Sequence, residues 1–190
     1  MCQHANFMRE YVCAVSDEGD TYFLVEHAKF GCLQGYLENS WKEKIDGKIS
    51  VILDMVVQLI SPLTQMQNSN VLHMDLTPKN IFVLDVIGAD TKRGEFSFPI
   101  LAISNFGNPR HWTKSKWNKN LSMEKFWAPE IKAGKKCTIE SEVYSIGVVC
   151  YMILCGEFPW TPSGEWVDRR HDVREFSAFH PRLIDTVRAA

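Results

Sequence analysis

The sequence predicts an α+β domain, on the basis of three features of its 190 residues. First, β-prone runs occur in two pairs, one near the N-terminus and one near the middle of the chain. Second, the segment 49–66 has the apolar spacing of an amphipathic helix. Third, the longest apolar stretch, residues 143–155, predicts a buried helix. The content of 45% apolar and 23% charged residues is typical of a globular protein with a core.

The N-terminal β-prone runs are residues 11–15 and 21–26. The turn-rich link between them, residues 16–20 (SDEGD), predicts a hairpin. After a break at Phe30 and Gly31, three apolar residues at helical spacing predict a short helix: Leu33, Tyr36 and Leu37. A hairpin therefore precedes the first helical segment.

In segment 49–66, apolar residues recur three and four positions apart, which predicts an amphipathic helix. Pro62 lies inside it. Because proline lacks the backbone N–H that a helix interior uses, we expect Pro62 to kink or interrupt this helix. The longest apolar stretch, residues 143–155, is shorter than the ~20 residues that a bilayer crossing needs. It predicts a buried central helix rather than a membrane span.

Two further β-prone runs, residues 81–84 and 98–103, flank a polar link and predict a second hairpin. Residues 104–127 show no clear periodicity, which predicts a long ordered loop. The central helix is expected over residues 140–154, and a last short helix over residues 181–188. This order of elements predicts an α-rich α+β layout.

The chemistry-bearing segment is residues 71–84 (VLHMDLTPKNIFVL), where Asp75 precedes Asn80 by five positions. A phosphoryl-transfer site uses such a pair: the carboxylate accepts the proton of the substrate hydroxyl, and the amide oxygen holds a magnesium ion that bridges the phosphates. The alternative for Asp75 is a turn or helix-cap residue beside Pro78. The motifs farther along the chain favour the first interpretation.

Four motifs occur in an order that resembles the eukaryotic protein kinase superfamily. Residues 73–80 (HMDLTPKN) resemble its catalytic loop HRDLKPEN, and residues 142–147 resemble its DxWSxG motif. The DFG-like motif is Asn105-Phe106-Gly107, and the APE motif is Ala128-Pro129-Glu130. The resemblance implies a protein-kinase-like fold, consisting mostly of the helical C-lobe with a remnant N-lobe hairpin. It implies one partial domain over residues 1–190, with N-lobe strands in 1–26, a hinge in 27–31 and an incomplete C-lobe in 32–190.

The resemblance also implies ATP and Mg²⁺ as cofactors. Asp75 would take the position of the catalytic base, and Asn80 and Asn105 the magnesium positions. The nucleotide positions would be Glu26 and Ala28 at the hinge and Phe82 under the base.

Other motif residues resemble the architectural ones of the family. His73 and Phe106 would stack in the hydrophobic spine, and Glu142 would tether the catalytic loop. The remaining motif positions would be held by Gly107, Ala128, Pro129 and Gly147. In the family, the residue at the position of Glu130 would normally pair with an arginine from a later helix. With no upper lobe over them, we expect His73, Phe106 and Phe82 to face solvent or a partner.

Several departures from the family pattern indicate impaired catalysis. Asn105 stands in place of the magnesium aspartate, Thr77 in place of the catalytic-loop lysine, and Met74 in place of an arginine. No GxGxxG loop and no VAIK-like lysine occur in the 190 residues. Two narrower resemblances rest on few residues. The SNF sequence at 104–106 is similar to the PEAK/Pragmin scaffolding pseudokinases, and the HxDLTPxN pattern is similar to herpesvirus kinases.

Two functional hypotheses follow. One is a non-catalytic binding module, acting as a scaffold or as a regulator of a kinase. Its partner would be a kinase, another signalling protein or a second copy of the chain. The other is a fragment of an active kinase that phosphorylates Ser/Thr or Tyr hydroxyls. The net charge of −2 does not favour a nucleic-acid partner. Six cysteines without a CxxC pair, and no signal peptide, predict a cytoplasmic setting, with the nucleus as the other option.

Overall fold

The computed structural model describes residues 4–41, 49–88, 97–106, 124–155 and 159–160. Its elements follow the order hairpin, short helix, long helix, hairpin, short helices, long helix. This arrangement confirms the predicted α+β class. None of the helices in the described ranges combines the length and the apolar character that a bilayer crossing requires.

The N-terminal hairpin consists of strands β1 (Glu10–Val15) and β2 (Thr21–Val25), paired antiparallel as predicted. Its turn is closed by the backbone N–H of Ser16, which donates to the carbonyl of Asp20 at 2.8 Å. Gly19 lies in this turn at φ 87°, a backbone conformation that glycine adopts without steric cost. Every residue of both strands is exposed. The hairpin therefore contributes little to the core.

The first helical segment is α1 (Leu33–Tyr36), which continues as a π-helical turn over Leu37–Trp41. The predicted amphipathic helix is α2 (Ile49–Asn68). Of the two outcomes expected for Pro62, a kink or an interruption, the interruption is wrong, because α2 is continuous through this residue. Leu59 and Leu63 on either side of the proline are buried in the core. Their packing outweighs the cost of about 3 kcal/mol that an interior proline imposes.

Strands β3 (Ile81–Ile87) and β4 (Phe98–Ile103) form the second predicted hairpin, with Ile81 opposite Ile103. Five of their side chains are fully buried: Ile81, Val83, Leu101, Ala102 and Ile103. This small sheet packs against α2. Most of the predicted link and loop, residues 89–96 and 107–123, lies outside the described residues.

The rest of the described chain is helical. A 3₁₀ turn (Glu124–Phe126) leads into α3 (Pro129–Lys132) and then α4 (Ile139–Cys155). Helix α4 confirms the predicted buried helix, since ten of its residues are buried and it packs against α2. The expected helix over 181–188 lies outside the described residues.

Two other segments of the chain form backbone hydrogen bonds with the edges of the β3–β4 sheet. The first is N-terminal: the N–H of Met8 donates to the carbonyl of Ile103 at 2.8 Å. The second follows the N-terminal hairpin: the N–H of Val83 donates to the carbonyl of Gly31 at 2.9 Å. Because Ile81 pairs with Ile103, the loop before β3 and the chain after β4 meet at this end of the sheet.

Helix α2 is fastened to β4 by the side chain of Gln58. Its Oε1 accepts hydrogen bonds from the N–H of Leu101 at 2.8 Å and from Nδ2 of Asn6 at 3.1 Å. Its Nε2 donates to the carbonyl of Pro99 at 2.9 Å and to Oδ2 of Asp54 at 2.6 Å. One amide thus fixes the sheet, the helix and the N-terminal segment relative to one another.

Candidate active site

The loop between α2 and β3 is built around the buried imidazole of His73. Its Nε2 donates to the carbonyl of Ser104 at 2.7 Å, and its Nδ1 accepts the N–H of Asp75 at 3.3 Å. A carbonyl can only accept and a backbone N–H can only donate, so these partners fix the neutral Nε2–H tautomer. Burial lowers the pKa of His73 to about 4. The ring therefore joins the two loops as a neutral group.

The expectation that His73 faces solvent or a partner is wrong, because its side chain is fully buried. Its ring lies 5.0 Å from that of Phe106, centroid to centroid. Phe106 in turn meets Phe7 edge to face at 4.6 Å. Phe82 and Phe106 are only half-buried. The chain's own N-terminal segment thus supplies the cover, through the buried ring of Phe7.

Sequence reasoning missed Phe7 as a member of this stack. The available signal was the resemblance of residues 4–7 to the HPNI turn of the kinase pattern. That resemblance indicated the position of the segment along the chain. It did not indicate that the phenylalanine reaches the aromatic pair formed by His73 and Phe106.

The carboxylate of Glu142, on α4, holds the start of the loop. It accepts the backbone N–H of His73 at 3.1 Å and that of Met74 at 2.6 Å. The thiol of Cys137 donates to the same carboxylate at 3.5 Å, a contact that the sequence did not indicate. Met74 has φ 71°, a left-handed conformation that costs a non-glycine residue about 1 kcal/mol. The two hydrogen bonds offset that cost.

Burial shifts the pKa of the Glu142 carboxyl group and of the neighbouring Cys137 thiol. Desolvation raises the pKa of Glu142, although its hydrogen bonds to Met74 and His73 act in the opposite direction. Burial, followed by the charge of Glu142, raises the pKa of Cys137 to about 12. Cys137 is therefore a neutral donor rather than a reactive thiolate.

The structure brings Asp75, Asn80 and Asn105 together in one chain of hydrogen bonds. Nδ2 of Asn80 donates to the carbonyl and to Oδ2 of Asp75, both at 2.8 Å. Nδ2 of Asn105 donates to Oδ1 of Asn80 at 2.9 Å. The backbone supports this arrangement, since the N–H of Ser104 donates to the carbonyl of Asn80 at 2.9 Å. One carboxylate and two amides thus occupy the positions where we expected a base and two magnesium ligands.

Thr77 lies in the same loop, and its side chain is 2% exposed. Its hydroxyl has no hydrogen-bond partner among the described residues. The carbonyl of Thr77 accepts the N–H of Asn80 at 3.0 Å, which closes the turn 77–80. A buried hydroxyl therefore occupies the position where the family pattern has a long cationic side chain.

Part of the expected hinge lies along β3, and Phe82 is a residue of this strand. The N–H of Lys29 donates to the carbonyl of Leu84 at 3.2 Å, which sets the segment around Ala28 beside β3. Phe82 forms a single antiparallel bridge with Cys32. The carboxylate of Glu26 lies 4.0 Å from Nε of Arg9, at the base of the N-terminal hairpin.

The APE residues form the start of α3. Ala128 is buried and caps this helix, and Pro129 occupies its first turn. Oε1 of Glu130 accepts a hydrogen bond from Oγ of Ser141 at 2.5 Å, which joins α3 to the start of α4. Gly147 is half-buried within α4, and Gly107 lies outside the described residues.

A magnesium ion between Asn80 and Asn105 would need an oxygen from each amide, because Mg²⁺ binds oxygen ligands. Oδ1 of Asn80 already accepts a hydrogen bond from the NH₂ group of Asn105. Within the described ranges, no three His, Cys, Asp or Glu side chains gather as a metal cluster. The observed arrangement of side chains therefore does not fit a bridging cation.

Comparisons with known proteins agree with this geometry. The sequence profile of the protein kinase domain matches residues 1–187. Tyrosine-protein kinase Btk of Drosophila melanogaster is 28% identical over 83% of the chain and 19% of its own length. Tyrosine-protein kinase FRK of Homo sapiens is 28% identical over 84% of the chain and 30% of its own length. Calcium-dependent protein kinase 4 of Plasmodium falciparum is 30% identical over 87% of the chain and 29% of its own length.

The chain spans less than half the length of these curated relatives. Kinase domains in general use ATP and Mg²⁺. The family match covers nearly the whole chain, and the relatives include both tyrosine-specific and calcium-dependent kinases by name. Together with the α+β fold and the paired loops around His73, these matches show that the chain belongs to the eukaryotic protein kinase superfamily.

Proposed function

We propose that this chain is a catalytically impaired kinase-fold module that acts by binding proteins, as a scaffold or as a regulator of a kinase. The observation that carries the proposal is the neutral amide of Asn105. Active kinases hold magnesium at this position with the carboxylate of the DFG motif. An amide removes one full negative charge from a divalent-cation site. The phosphates of ATP would therefore lose most of the charge neutralisation on which transfer depends.

The environment of Thr77 supports the same proposal. The lysine of the family's catalytic loop places a positive charge near the transferred phosphate, and Thr77 offers only a hydroxyl. That hydroxyl is buried, so a larger cationic side chain would not fit without movement of the loop. Neither change alone excludes transfer, but together they remove one negative and one positive group from the site.

The binding half of the proposal rests on the N-terminal hairpin. Seven large apolar side chains on its two strands are between 39% and 65% exposed: Tyr11, Val12, Val15, Tyr22, Phe23, Leu24 and Val25. Single exposed apolar residues are common, whereas several grouped on one hairpin favour an interaction site. An isolated two-stranded hairpin is also only marginally stable in water, so a contact that covers it would stabilise it.

A radiolabelled phosphate-transfer assay tests the catalytic half. The chain is incubated with labelled ATP, with magnesium or with manganese, in the presence of generic Ser/Thr and Tyr substrates. We expect no incorporation above that of the matched variant Asp75→Asn, because the site lacks the charged groups named above. Incorporation by the unmodified chain that Asp75→Asn abolishes would overturn the proposal.

The second candidate is a fragment of an active protein kinase that phosphorylates Ser/Thr or Tyr hydroxyls. It is favoured by the close placement of Asp75 and Asn80, whose side chains are joined by a 2.8 Å hydrogen bond. The same assay separates the two candidates. Both are consistent with N-lobe strands in 1–26, a hinge in 27–31 and a partial C-lobe from residue 32, and with a cytoplasmic or nuclear setting.

A further inference from the structure

The orientation of the Asn80 amide is fixed by its neighbours. Its Nδ2 donates to the backbone carbonyl of Asp75, and a carbonyl can only accept a hydrogen bond. The NH₂ end of Asn80 must therefore face Asp75. Its Oδ1 consequently points the other way, where it meets Asn105 at 2.9 Å.

A side chain at position 105 can bond directly to Oδ1 of Asn80 only if it carries a hydrogen-bond donor. Asn105 carries an NH₂ group, which donates to Oδ1 of Asn80. An ionised aspartate there would place a second acceptor against the first, and two acceptors in contact repel unless a cation lies between them. The residue at position 105 thus determines whether the two side chains bond directly or need an ion.

We propose that the NH₂ group of Asn105 takes the place of a bridging divalent cation, so that the site is assembled and held closed without metal. The backbone around Asn105 supports this role. Ser104 is fixed by hydrogen bonds to His73 and to Asn80. Asn105 itself has φ 63°, a conformation that asparagine tolerates better than most residues do. The inference concerns cations alone and does not depend on whether the chain binds proteins.

The proposal makes Asn105→Asp a switch from a metal-free site to a metal-dependent one. Aspartate is nearly isosteric with asparagine and also tolerates a positive φ, so the backbone strain is unchanged. What changes is the loss of one donor and the gain of one negative charge beside Oδ1 of Asn80. We expect this variant to be less stable than the unmodified chain and to recover stability when a divalent cation binds.

The test measures the melting temperature in EDTA and across a titration of Mg²⁺ and of Mn²⁺, with no nucleotide present. The unmodified chain should give the same value throughout. Asn105→Asp should melt about 3 °C lower in EDTA, and the cations should restore the difference. The matched control is Asn70→Asp, because Asn70 is also an exposed asparagine with a positive φ, of 52°, and lies outside the hydrogen-bond chain. It should show no response to cations.

Two results would overturn the proposal. One is a melting temperature of the unmodified chain that rises saturably with Mg²⁺ or Mn²⁺. The other is an Asn105→Asp variant with unchanged stability in EDTA and no cation response. Should the variant fail to fold in EDTA, recovery of a cooperative melt on adding cations supports the proposal, and failure to recover counts against it. Calorimetric titration of the unmodified chain with Mn²⁺ provides an independent check, with no binding heat expected.

Discussion

At the scale of single residues, His73 shows how a neutral side chain can join two loops. Its ring accepts a hydrogen bond from Asp75 through one nitrogen and donates to Ser104 through the other. Protonation would put a second N–H on the ring, opposite the N–H of Asp75. Acid therefore removes one of the two hydrogen bonds and also places a charge in a buried site.

The pH dependence of stability follows from this geometry. The pKa of His73 is about 4 in the folded chain, against 6.5 for the free side chain. Below pH 6.5 the unfolded chain therefore binds a proton that the folded chain does not, and stability falls as the pH drops from 6.5 towards 4. Between pH 7 and pH 5, we expect His73 to lower the unfolding free energy by about 2 kcal/mol.

Urea denaturation at the two pH values measures this effect. The variant His73→Phe keeps an aromatic ring in place but cannot be protonated. The variant should be less stable than the unmodified chain at pH 7. Its stability should also lack the decrease between pH 7 and pH 5 that protonation of His73 causes. Comparing the two chains removes the contribution of Glu142, whose raised pKa acts in the opposite direction. Equal pH dependence in both chains would contradict the burial of a neutral imidazole.

Motif spacing was sufficient to single out the residues of the site but not their orientation. Asp75, Asn80 and Asn105 were identified from short patterns in the sequence. That the two asparagines bond to each other depends on the direction of each amide, which the tertiary contacts with Asp75 determine. The exposure expected for His73 was wrong for a similar reason, because the ring that completes its cover, Phe7, comes from a distant part of the chain.

At the scale of elements, the amide of Gln58 explains how the long helix α2 positions the small sheet. It bonds to Leu101 and Pro99 on β4 and to Asn6 in the N-terminal segment. Apolar spacing predicted α2, which buries one face, whereas β-prone runs joined by turn-rich or polar links predicted both hairpins. The continuation of α2 through Pro62 was not predictable from local sequence, because packing of the neighbouring leucines decides it.

The variant Gln58→Met tests this anchoring. Methionine has a similar length but cannot make the four hydrogen bonds, so the N–H of Leu101 and the side chain of Asn6 lose an acceptor. We expect a loss of about 1 to 3 kcal/mol in unfolding free energy, measured by urea denaturation. The control Gln67→Met changes an exposed glutamine of the same helix and should cost less than about 0.5 kcal/mol. Equal effects of the two changes would count against the anchor.

At the scale of the whole molecule, the described residues form a packed core and an exposed N-terminal hairpin. Helices α2 and α4 and the β3–β4 sheet share one core. All eleven residues of β1 and β2 are exposed. The fold class was predictable because the long helices and the second hairpin bury apolar faces.

We propose that this kinase-fold chain does not hold nucleotide and metal as active kinases do. Thermal unfolding with and without millimolar ATP and Mg²⁺ tests it most directly. A ligand at one hundred times its Kd stabilises the native state by about 2.7 kcal/mol, which raises the Tm of a domain of this size by about 5 to 10 °C. We expect no rise in Tm. A saturable rise of that size, dependent on both ATP and Mg²⁺, would contradict the account.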